Sequence, residues 1–211
     1  MKREAALHMT RPKLSYFDAP VSRGEECRLA LHVAGVDFED NRLGPDQFAV
    51  FRQTAPFNAV PVLEWPGHKP IAHSNAILVL IGREYDLHPK DNFEAARHEE
   101  LLSHVEDLRH KVGPSMRIKD EAEKKAARED LAASYLPFWG RSTEAYLGDG
   151  PFIAGAKLHV ADLKLHMAVR WFAGGKVDHI PATIFAAYPK LTRLFEAVRD
   201  DARVKAWYAK S

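Results

Sequence analysis

Residues 56–77, PFNAVPVLEWPGHKPIAHSNAI, constrain this chain more than any other stretch. An alternating run, Val60, Val62 and Leu63 with Pro61 set inside it, leads into the turn signal Trp65-Pro66-Gly67. Pro70-Ile71-Ala72 follows as a second short apolar piece, and His73-Ser74 opens the amphipathic run Ala76-Ile77-Leu78-Val79-Leu80. The pattern predicts strand, turn, strand and helix start. A proline at a strand entrance removes a ladder donor, so it needs an edge, a bulge or a cis turn. A serine at a helix mouth sets a hydroxyl beside unpaired backbone N–H groups, which suits an anion or carboxylate. Together these predict a site for a small peptide-like ligand, held by backbone pairing and by its carboxylate.

The preceding residues supply the rest of a small α/β unit. Lys13–Phe17 reads as a strand broken by Asp18-Ala19-Pro20. Ser22 and Glu25 have capping-box spacing, and apolar residues from Cys27 to Ala34 recur at helical spacing until Gly35. Val36–Asp40 reads as a second strand, and residues 41–55 as irregular with one helical turn around Phe48 to Arg52. The predicted order is β-α-β-α-β-β-α, ending near Tyr85.

Beyond a linker at residues 87–91 the strand signals stop. Helical spacing covers Glu94 to Ile118 with an interruption near Gly113-Pro114, and then Glu121 to Leu147 as one long helix bent at Pro137. Further helices are expected over 160–172, 189–199 and 204–209. The predicted domains are an α/β unit over 12–86 and an all-helical unit over 92–211, with 1–11 as a loose leader. A chain of 211 residues suffices for such a pair, burying roughly 70% of its unfolded surface.

Composition narrows the partners. The formal charge of +1, without a basic or acidic block, favours neither nucleic acid nor an anionic membrane. A single cysteine, Cys27, rules out an internal disulfide and a CxxC pair, and its place on the apolar face of a helix predicts a buried structural thiol. With neither a signal-peptide core near the start nor an apolar run of membrane-spanning length, a cytoplasmic location is expected.

Tyr16 ends the first strand just before a loop, where a phenol can face a cleft and donate to a thiolate or oxyanion. Ser15 and Ser22 are competing hydroxyls. The pairs Glu100/His104 and Glu106/His110 are what a helical surface produces freely; without an HExxH or Cys/His set, no metal is expected. The run Gly150–Lys157 lacks the adjacent Gly-Lys and the Ser or Thr of a phosphate loop.

KLSYF, SRGEECRLAL, FEDNRL, PFNAVPVLE, IAHSNAI, FIAGAKLHVADL and YPKLTRLFEAVRDDARVKAWY, in that order, resemble the cytosolic glutathione transferases, the tyrosine-type and sigma-like members above all. The resemblance implies a thioredoxin-like N-terminal domain, a helical C-terminal domain, a homodimer, and conjugation of the glutathione thiolate to small hydrophobic electrophiles. It also implies a role in detoxification. It implies a cis Val60-Pro61 bond, with Val60 pairing to the cysteinyl backbone of glutathione and His73 and Ser74 at its γ-glutamyl carboxylate. Tyr16 takes the place of the thiolate-stabilising tyrosine and Arg23 that of its supporting arginine. Phe48 and Arg52 fall near the glycine end. Phe17, Val112, Met116 and Arg117 are the expected wall of the electrophile site. An acidic residue of a partner subunit, Glu106 or Asp107, is expected at the glutathione amine, or the basic Arg109 or His110 in its place. Three departures from the family pattern stand out: His73 replaces a glutamine, Phe48 lacks the indole donor, and His159 precedes Asp162 where a Ser or Thr cap is usual.

Overall fold

A computed structural model describes residues 10–209; most of the expected leader, 1–11, lies outside the described residues. Four strands form one sheet: β1 (Lys13–Phe17), β2 (Glu39–Leu43), β3 (Val62–Glu64) and β4 (Ile71–Ala72), in spatial order β2-β1-β3-β4. β1 runs parallel to β2 and antiparallel to β3, and β4 is antiparallel to β3. As an inner strand, β1 has Leu14, Ser15 and Tyr16 all buried. Three helices complete this half: α1 (Ser22–Val33), α2 (Pro45–Phe51) and α3 (Ser74–Glu84).

The second half is helical. It holds α4 (Asn92–Val112) with a 3-10 turn at Gly113–Arg117, α5 (Glu121–Ala133), α6 (Tyr135–Tyr146), α7 (Val160–Ala173), α8 (Pro189–Asp200) and α9 (Ala202–Tyr208). α7 is the common support, since α1, α3, α4 and α8 all pack on it. One apolar core runs through both halves, from Leu14, Leu29, Leu63 and Ile77 to Leu108, Leu163 and Phe172. Gly82 permits the close approach of the halves: a Cβ there would lie 2.9 Å from His88 Cβ and 3.1 Å from Val160 Cγ2. Among the described residues no helix is long and apolar enough to cross a membrane.

Three local expectations need correction. The second strand begins three residues late because its ladder partner among the described residues starts at Lys13, which faces Glu39. Val36 and Phe38 alternate like strand residues yet pack on the core beside the ladder. The long helix over 121–147 breaks at Ser134 (φ −116°, ψ −74°), not at Pro137. Ser134 turns its hydroxyl back onto the Asp130 carbonyl at 2.7 Å, whereas Pro137 falls in the first turn of α6, where its missing N–H has no intrahelical acceptor. Ser22 does not cap α1, which starts without a side-chain cap; Glu25 instead accepts a hydrogen bond from Trp207 Nε1 at 2.7 Å.

Candidate functional site

Tyr16 is nearly enclosed, with 7% of its surface exposed. Its ring lies on the backbone of Gly24, where a Cβ would come within 1.9 Å of Tyr16 Cδ1. The glycine thus lets α1 sit directly over the phenol. Burial raises the Tyr16 pKa above its ordinary value, against the lowering effects of a hydrogen bond with Ser22 and of the charge of Arg23. The phenol therefore keeps its proton and remains a donor at neutral pH. Of the competing hydroxyls, Ser15 is fully buried in the sheet and accepts from Asn41 Nδ2 at 2.9 Å. Ser22, in a left-handed conformation (φ 59°), is Tyr16's neighbour at the cleft.

Five charged side chains underlie this corner. Arg23 donates to Glu106 Oε2 from Nε at 2.8 Å and from Nη2 at 2.6 Å. Arg109 bridges Glu26 (2.6 and 3.2 Å) and Glu106 (2.8 Å). Lys164, fully buried on α7, donates to Glu26 Oε1 at 2.7 Å, Glu106 Oε1 at 2.6 Å and Ser74 Oγ at 3.2 Å. Although burial alone would raise the Glu106 carboxyl, Lys164 and Arg109 pull it down to about 2. Glu26 is lowered in the same way by Arg109 and Lys164, also against burial. Both carboxylates are therefore ionised at neutral pH.

Ser74 opens α3 with 3% of its surface exposed. His73, the N-cap, adopts φ 68° and is exposed, its ring 5.2 Å from that of Phe57. The Val60-Pro61 bond is cis, and Val60 lies just before β3. Phe48 packs edge-on against Phe17, with ring centroids 4.7 Å apart, and the exposed Arg52 stands 5.7 Å from the Phe48 ring centre. The structure thus brings Tyr16, Arg23 and Ser74 to one ionic cluster, while Phe17, Phe48 and Arg52 follow one another in contact from Tyr16.

Between the loop after β1 and α7 lies a cavity of about 370 Å³, reached by Ser22, Val21, Met116, Met167 and Trp171. Of the four expected wall residues, Met116 lines it. Phe17 sits between Tyr16 and Phe48, Arg117 is exposed, and Val112 is sealed in the core. Glu106 faces inward to its own chain's cations, Asp107 and His110 are exposed, and Arg109 is held in the ionic cluster. Cys27 is free and fully buried, and burial pushes its thiol well above the ordinary range.

Sequence reasoning missed Glu26 and Lys164. Their signal was present as charged residues inside otherwise apolar helical runs, GEECRLAL and VADLKLHM, which a buried helix face tolerates only when the charges are paired. It also missed Met167 and Trp171, which look like ordinary core residues of α7.

Comparison with known proteins gives a consistent picture. Residues 12–83 match the family model described as glutathione S-transferase, N-terminal domain, and residues 106–211 match the one described as glutathione S-transferase, C-terminal domain. Glutathione S-transferase 1 of Ascaris suum is 28% identical, over 95% of this chain and 97% of its own length. S-crystallin 2 of Enteroctopus dofleini is 25% identical, over 93% and 95%. The structure of prostaglandin synthase D of Nilaparvata lugens superposes with a TM-score of 0.84 at 27% identity, covering 95% of this chain and 98% of that one.

Proposed function

The chain belongs to the glutathione S-transferase family, and on that premise we propose that it conjugates the thiolate of glutathione to small hydrophobic electrophiles. The observation that carries this reading is Tyr16, protonated and hydrogen-bonded to Ser22 of the cavity wall, beside the same ionic cluster that reaches Ser74. Glutathione lies along residues 56–74. Its cysteinyl backbone pairs with Val60 beside Pro61, its γ-glutamyl carboxylate meets His73 and Ser74, and its glycine end meets Phe48 and Arg52. Its sulfur then comes to Tyr16, whose O–H donates to the thiolate while the thiol proton leaves to solvent. Arg23 supports Tyr16 with its positive charge. Lowering a thiol pKa from ~8.5 to ~6.5 requires about 2.7 kcal/mol, within reach of one charge-assisted bond and local dipoles. The thiolate attacks the electrophilic carbon in the Met116-lined cavity, forming a C–S bond as the leaving group departs with its electron pair.

The reading extends to a cytoplasmic homodimer acting in detoxification, with domains over 12–86 and 92–211 and Asp107 available to a neighbouring subunit's glutathione. It needs no metal. A second reading, glutathione-dependent isomerisation by the same thiolate, is favoured by the likeness to a prostaglandin synthase. A non-catalytic role is the alternative that the S-crystallin likeness suggests.

Tyr16→Phe tests the chemistry. Glutathione binding should persist, while the ultraviolet titration of bound thiolate moves up by about one to two pH units and turnover of a chlorodinitrobenzene falls at least tenfold. An unmoved titration would transfer the role to Ser22. Product analysis with an endoperoxide separates isomerase from transferase, and inactivity toward both leaves the binding role.

A further inference from the structure

Lys164 holds a position that pairing alone does not explain. An ammonium has three N–H donors, and Lys164 directs them to three acceptors: Glu26 Oε1, Glu106 Oε1 and Ser74 Oγ. The third contact has a directional consequence. Lysine cannot accept, so Ser74 accepts there, and the hydroxyl's single hydrogen points away from Lys164. Ser74 is also the first residue of α3, where the backbone N–H groups have no intrahelical partner. A carboxylate at that helix mouth would meet the Ser74 O–H and the free N–H groups together. The charges beneath do not cancel: Arg23, Arg109 and Lys164 oppose Glu26 and Glu106, and 3 − 2 leaves +1.

We propose that Lys164 is a positioning residue for glutathione. Its ammonium fixes the Ser74 hydroxyl so that the O–H faces the γ-glutamyl carboxylate, and it provides the countercharge for that carboxylate. The inference rests on the glutathione reading above. It adds a residue from the helical half to a site otherwise assembled from the α/β half, so γ-glutamyl recognition depends on how α7 docks against α3.

Calorimetry on the full chain with two ligands tests this: glutathione, and 4-aminobutyryl-cysteinylglycine, which lacks only the γ-glutamyl carboxylate. The double variant Lys164→Met/Glu26→Gln removes the donor to Ser74 yet keeps the cluster at +1, since Arg23 and Arg109 then oppose Glu106 alone. Its Kd for glutathione should rise about tenfold, the loss of one charge-assisted bond, with KM rising alike and kcat at saturation falling less than about threefold. Its Kd for the analogue should stay within about twofold of wild type. Equal weakening of both ligands, or an unmoved glutathione Kd, overturns the proposal.

Glu26→Gln alone retains Lys164 on Ser74 and takes the cluster to +2. It should tighten glutathione about threefold and leave the analogue unmoved. Should the double variant fail to fold by circular dichroism, this single variant decides, and equal or absent tightening overturns the role. A wild type that does not bind glutathione refutes the underlying reading. A wild type that binds it, with variants indifferent to the γ-glutamyl carboxylate, refutes the role of Lys164 alone.

Discussion

Beneath Tyr16 and Ser74, Glu26, Glu106, Arg23, Arg109 and Lys164 hold one another in short hydrogen bonds across the seam between the sheet and the helices. Further along the same seam, His88 of the linker, His98 of α4 and His159 at the mouth of α7 meet with ring centroids 6.2 and 5.0 Å apart. All three imidazoles are buried, and His88 Nε2, both nitrogens of His98 and Nδ1 of His159 have no hydrogen-bond partner among the described residues. The first cluster keeps its charges because every one is answered. In the second, no carboxylate answers His98 at its centre; Glu99 stands only at the rim, 3.7 Å from His88 Nε2. Burial and the neighbouring imidazoles lower His98 to about 4, and burial with Lys157 lowers His159 to about 4. What matters in each case is the pairing within the burial, and the two clusters should respond oppositely to mutation.

Breaking the paired cluster should give the largest effect. Glu106→Ala strips Arg23 of its carboxylate and leaves Lys164 and Arg109 to share Glu26. Removing one partner of a buried ion pair strands the others, and a loss of about 3–5 kcal/mol is expected in urea unfolding at pH 7. A loss under about 1 kcal/mol would mean that the cluster is solvated enough to do without Glu106.

The unpaired cluster should gain from a deletion. His98→Leu removes two buried nitrogens without partners at close to the imidazole's volume, so a gain of about 1–2 kcal/mol is expected at pH 7. The variant should also flatten the acid limb. His98 titrates near 4 when folded and near the ordinary 6.5 when unfolded, so between those values the unfolded chain takes up the proton first. The stability tied to neutral His98 is whole above about 6.5 and declines as pH falls toward 4. Facing it are His88, His159 and Arg97, none of which answers a proton. Denaturant midpoints of wild type and variant at pH 7, 6, 5 and 4 measure this, and parallel curves would sink it.

The same contrast explains what could be read from the residues alone. The elements of the 56–77 stretch, and the placing of Tyr16 near a strand end and Ser74 at a helix mouth, were legible because their signals are local: alternation, a proline at a strand entrance, an aromatic at a strand end, a serine at a helix mouth. The start of β2 was not, because it depends on where β1 begins to pair. Nor was the pairing of Lys164 with Glu26, whose partners lie 138 positions apart, or the meeting of His88, His98 and His159. Ser22 looked like a cap, yet its left-handed backbone places it beside Tyr16 instead. Tertiary placement decides each of these.

The smallest effect expected is at His159, where the two kinds of site overlap. Its backbone N–H donates to Asp162 Oδ2 at 2.7 Å, so one half of a capping box exists at the start of α7. Its own Nδ1 has no partner, so the reciprocal half is not made by that nitrogen. His159→Asn replaces the ring with a side chain that accepts well at an N-cap, a gain of about 1 kcal/mol. Against this stands the lost contact of the ring with His98, which a shorter side chain restores only in part. The cap should win narrowly, by roughly 0.5 kcal/mol, which for a chain of this size raises Tm by about 1–2 °C. The margin should widen at pH 5, where wild type bears the penalty of a neutral His159 and the variant has none to bear. A Tm equal to or below wild type at both pH values would mean that the buried imidazoles are worth more as packing than as caps, and would set the histidine cluster beside the ionic one as a true structural support.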